Sequence, residues 1–115
     1  MTHCHCSRCR KSTGAGHSTN IAANSESIRW LSGYESITRF ELPGSERFGK
    51  WFCSHCGGPL PRVTQDGKMS VIPAGSLDTR LPISPSHHIF WGSREPWSCP
   101  SGGLPTHEEL PKSWQ

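Results

Sequence analysis

Apolar and polar residues alternate along this chain in short runs, and turn-formers cut each run before it grows long. SIRWL at 27–31, SITRFEL at 36–42, KWFC at 50–53, LPRVT at 60–64, MSVI at 69–72 and HIFW at 88–91 have the β-branched and aromatic character of strands. Between them stand Ser32-Gly33, Pro43-Gly44-Ser45, Gly57-Gly58-Pro59 and Asp66-Gly67. The stretch Gln65-Asp66-Gly67-Lys68 predicts a hairpin turn, because Gly67 tolerates the positive φ that such a turn needs. No segment sustains a helical period. The pattern predicts a mainly β fold with irregular loops over 79–86 and 96–115, the last carrying Pro105 and Pro111 as an extended or disordered tail.

Composition narrows this further. A chain of 115 residues is one domain's worth, so a single domain over 1–115 is expected. Only 32% of it is hydrophobic, with twelve glycines and ten prolines, so the core is small and needs help from a metal or from disulfides. No apolar run reaches membrane-spanning length and no secretory leader opens the chain, which predicts a cytoplasmic protein with no membrane partner. There thiols stay reduced, and six cysteines read as metal ligands or reactive groups. A net charge of +3 is too small to predict a nucleic-acid partner.

The cysteines carry the chemistry. Cys4, Cys6 and Cys9 form C-x-C-x-x-C, and Cys53 and Cys56 repeat C-x-x-C with Gly57 behind them. Two thiols in that spacing face one ion if the backbone turns tightly between them, and zinc is the metal expected among sulfur ligands. A redox pair is disfavoured because neither C-x-x-C opens a helix after a strand in a βαβ pattern, and an iron–sulfur cluster lacks a fourth cysteine in the first group. Two zinc arrangements remain open. Cys6, Cys9, Cys53 and Cys56 can close one ribbon-type site, leaving Cys4 over. Alternatively Cys4, Cys6 and Cys9 form a three-thiolate site with an open position, with Cys53 and Cys56 as half of a second.

Other positions matter less. Arg8, Arg10 and Lys11 rim the first cluster, where they offset thiolate charge or receive an anionic ligand, or else form a solvated turn. His3, His5 and His55 read as solvent-facing or outer-sphere groups, and Asp78 as a turn cap. His87 and His88 would point to opposite faces of a strand. Trp30, Trp51, Trp91 and Trp97 read as core bulk, and Cys99 as a free thiol.

HCHCSRCRK at 3–11, FCSHCGGPL at 52–60, AGSLD at 74–78, HHIFWGSREPW at 87–97 and GLP at 103–105 occur in the order found in the glutathione-dependent formaldehyde-activating enzyme family, which the chain resembles over nearly its whole length. The resemblance implies a zinc-containing β-tent of several short antiparallel sheets. It implies a carbon–sulfur lyase that condenses glutathione with formaldehyde to S-hydroxymethylglutathione. Cys4, Cys6 and Cys9 match the ligands of the catalytic zinc, and Cys53 and Cys56 match half of the structural zinc site. Family members complete that second site with an N-terminal C-x-C hairpin that has no counterpart here, so the domain is expected to be shortened at its start. The expected partner is a small thiol, glutathione or similar, with a homodimer as an option. Three thiolates around zinc suit a fourth thiol better than water, because their charge weakens the ion as a Lewis acid. The alternative is a non-catalytic zinc module or an inactive fragment on the same fold.

Overall fold

The computed structural model describes residues 1–99 and 102–115, so positions 100 and 101 of the expected terminal loop lie outside it. Among the described residues, eight strands form two sheets. β1 (Thr2–Cys4), β2 (Ser18–Asn24), β6 (Arg62–Val63), β7 (Met69–Pro73) and β8 (His87–Ile89) make a five-stranded sheet in the order β6-β7-β2-β1-β8. β3 (Ile37–Glu41), β4 (Gly49–Cys53) and β5 (Pro59–Leu60) make a three-stranded antiparallel sheet. The pairing of β1 with β8 is parallel and places His3 opposite His88. The mainly β expectation therefore holds, and the hairpin turn at 65–68 joins β6 to β7 as expected.

Several elements differ from their sequence reading. The run 27–31 forms no strand: a short 3-10 turn at Ser25–Ser27 precedes it, and Trp30 packs edge-on against Tyr34 at 6.4 Å. The run 60–64 is divided at Pro61, and its two halves pair in different sheets, because proline has no N–H for a ladder. The run 88–91 stops after Ile89, where Phe90 takes a left-handed φ of 53°. β1, β2 and the helix α1 (Ser7–Thr13) are all additions. α1 has only two turns, too short for an apolar period to declare itself.

The interior is small. Cys4, Cys6, His5 and Ser70 are buried, and the first three lie at the end of β1 where it runs into α1. The tryptophans are not the core that their size suggests: Trp30 and Trp51 are half-buried, Trp91 is exposed, and Trp97 keeps 65% of its surface. A radius of gyration of 15.9 Å, against about 13 Å for a tightly packed chain of this length, expresses the same open packing. Among the described residues no helix is long and apolar enough to cross a membrane.

Candidate metal centre

β1 delivers Cys4 from the sheet, and Cys6 and Cys9 follow on the first turn of α1. Cys6 is the N-cap of that helix: its backbone is extended, with φ −64° and ψ 156°, and its thiol accepts a hydrogen bond from the Cys9 N–H at 3.3 Å. Sulfur thus takes the place that an Asp or Ser oxygen usually fills. Gly14 ends the helix at φ 70°, its N–H donating to the Arg10 carbonyl at 2.8 Å. This strand-to-helix corner brings the three sulfurs together, all within 4.8 Å of one another.

The three thiols sit in different electrostatic surroundings. Burial pushes the Cys9 thiol up to about 12, although a hydrogen bond with the Ser18 side chain opposes it. Burial also raises Cys4. Burial acts to raise Cys6 too, yet the Cys9 N–H, the neighbouring thiols and the Arg8 charge outweigh it and leave Cys6 lowered. Three soft donors in contact, two of them buried and none in a disulfide, fit a zinc ion, whose charge would let all three ionise together.

Cys53 and Cys56 stand apart, at the end of β4 in the other sheet. They form a tight knuckle: His55 N–H donates to the Cys53 sulfur and Gly58 N–H to the Cys56 sulfur, each at 3.4 Å, with Gly57 at φ 71° making the turn. Hydrogen bonds from the Cys56 and His55 backbones lower the Cys53 thiol. Among the described residues the knuckle gathers no third His, Cys, Asp or Glu ligand, and it does not join Cys6 and Cys9 in a ribbon site. The geometry thus gathers Cys4, Cys6 and Cys9 into one cluster and leaves Cys53 and Cys56 as a separate knuckle.

The basic residues of α1 take different positions. Arg10 is bound to Glu95 at 2.9 Å, Arg8 lies over the Phe90 ring at 5.8 Å, and Lys11 is exposed in the last turn. His5 is neither solvent-facing nor set among the sulfurs: it is fully buried, its Nε2 within 2.9 Å of His88 Nδ1, with the rings of His17 and Trp91 at 5.1 Å. His3 stacks on His17 at 4.2 Å and its Nδ1 bonds the Thr19 hydroxyl at 2.8 Å. His3, His87 and His88 border one open groove; the His88 ring packs on His5 and Trp91, whereas His87 Nδ1 lies 2.8 Å from the Ser86 hydroxyl. His55, Asp78 and Cys99 are exposed.

Sequence reading missed Lys50 and Arg62. They line a cavity with Cys9, from β4 and β6 respectively, and no local motif announces either of them.

No curated protein matches this chain. The sequence model described as glutathione-dependent formaldehyde-activating enzyme matches residues 1–93, a stretch that contains both cysteine motifs and all eight strands. On that match, with the cysteine cluster and the small antiparallel sheets beside it, the chain belongs to the glutathione-dependent formaldehyde-activating enzyme family.

Proposed function

We propose that the cluster of Cys4, Cys6 and Cys9 holds zinc and serves a carbon–sulfur lyase that combines glutathione with formaldehyde. The observation that carries this reading is the approach of the three sulfurs to within 4.8 Å of one another at a buried strand-to-helix corner. Bound there, zinc would keep an incoming thiol ionised at neutral pH. That sulfur would add to the formaldehyde carbon as the carbonyl π bond breaks, and the proton the thiol gave up would return through water to the oxygen. The protein's own part is to hold the ligands and to supply cationic side chains: Arg8 and Lys11 on α1 soften the charge of the thiolates and attract the acidic tripeptide. A cytoplasmic setting, where glutathione is abundant and thiols stay reduced, suits this chemistry.

Zinc content of the purified protein and of Cys4→Ser, measured beside the rate of S-hydroxymethylglutathione formation by NMR exchange, tests the proposal. Loss of one zinc together with loss of the rate over the uncatalysed addition supports it. Zinc unmoved by the substitution, or a rate equal to that of free glutathione and formaldehyde, refutes it.

A further inference from the structure

Where α1 meets the two sheets there is a cavity of about 80 Å3. Cys9 forms one wall, Lys50 and Trp51 from β4 another, and Arg62 from β6 a third, with Ser18 and Asn20 of β2 alongside. We propose that Lys50 and Arg62 form a carboxylate subsite that selects thiols bearing an acid group and aims their sulfur at Cys4, Cys6 and Cys9. The inference rests on the thiol-binding reading of that cluster and adds to it the part of the molecule that recognises the rest of the substrate.

Two observations carry it. Lys50 and Arg62 are half-buried in the same cavity, and among the described residues neither forms an ion pair with a carboxylate. Burial lowers both from their ordinary values, and Arg62 lowers Lys50 further. Two partly desolvated cations facing one space are costly without an anion between them. Arg62 is held in place by donating from Nη2 to the Arg47 carbonyl at 2.8 Å, which leaves further guanidinium N–H groups to donate. The acid nearest in effect, Glu41, favours the charged form of Arg62 but forms no ion pair with it and does not line the cavity. The cavity is the size for one carboxylate and its stem, not for a whole tripeptide.

The competing explanation is that the two cations only balance the charge of the thiolates. The two differ in which thiols they affect. Calorimetric titration of the zinc-loaded protein with glutathione, glutathione diethyl ester and cysteamine separates them. In the wild type, glutathione is expected to bind about tenfold or more tighter than its diethyl ester, the range of a charge-assisted hydrogen-bonded pair. Lys50→Met and Arg62→Gln should each erase most of that preference and leave cysteamine within about twofold, with Lys50→Arg restoring it. Equal weakening of all three thiols, or a diethyl ester that binds as well as glutathione, overturns the subsite. If no thiol binds, the thiol-binding reading fails, and S-methylglutathione, which keeps the carboxylates but has no free thiol, decides the subsite alone. Binding that Lys50→Met abolishes sustains it; no binding overturns it. Zinc content and circular dichroism of each variant show that the fold is kept.

Discussion

The Cys9 backbone N–H donates to the Cys6 sulfur at 3.3 Å, so one hydrogen bond both caps α1 and orients a thiol of the cluster. Helix and site are therefore coupled. Cys6→Ser keeps an oxygen cap and loses the ligand, whereas Cys6→Ala loses both. Both variants are expected to lose the zinc of this cluster, and Cys6→Ala to be less stable than Cys6→Ser by about 1 kcal/mol. Zinc analysis and chemical denaturation of the metal-free pair check this.

Removal of the metal should leave the fold only marginally stable. The buried apolar residues are Cys4 and Cys6 themselves, and Leu31, Trp97 and Trp114 lie largely in solvent at 81%, 65% and 75% exposure. Net stabilities of domains are about 5–15 kcal/mol, while a thiolate-rich structural zinc contributes roughly 10–16 kcal/mol of apparent binding energy at neutral pH. The metal term is as large as the whole. A strong chelator is expected to lower the thermal midpoint sharply, and added zinc to restore it, as followed by circular dichroism.

Zinc uptake should be steeply pH-dependent. Burial holds Cys9 protonated up to about 12 and raises Cys4, so near pH 7 binding must expel their protons. Apparent affinity then rises with pH by about tenfold per unit for each proton released. Titrations in buffers of different ionisation enthalpy count the protons. The metal-free fold shows the opposite slope: the exposed thiol of the unfolded chain ionises near 9.0 and the buried Cys9 does not, so stability falls as pH rises from about 9 toward 12.

The histidine pair adds a dependence on the acid side. Burial first, then the neighbouring histidines, lowers His5 and His3 from 6.5. The unfolded chain takes up protons before the fold does, so stability present above pH 6.5 is lost as pH falls below it. His88→Ala removes the partner of His5 Nε2, and since His5 Nδ1 is already unpaired, the buried ring loses its remaining bond. The expected cost is about 1–3 kcal/mol at pH 7.5, read from urea denaturation.

A packing contact gives an independent check. Gly16 is buried, and a Cβ there would run into the Ser98 side chain. Gly16→Ala should push the 95–98 turn away from α1, where Arg10 and Glu95 also hold it, and cost about 1–3 kcal/mol. Thermal melts of the zinc-loaded variant measure it.

Much of this protein can be read from its residues in order. The spacing of Cys4, Cys6 and Cys9 identifies a sulfur site because ligands close in sequence need only one local turn to meet, and the knuckle at Cys53 and Cys56 follows from Gly57 for the same reason. Short runs between turn-formers identify β3, β4 and β7. Tertiary structure decided the rest. β1, β2 and α1 lack a period of their own and are held by their neighbours. Pro61 passes the chain from one sheet to the other, and the two sheets assign Cys53 and Cys56 to a place away from the first cluster. Only that packing carries Lys50 and Arg62 to Cys9, and buries His5 against His88, because contacts between distant residues depend on how sheets meet and leave no local pattern in the chain.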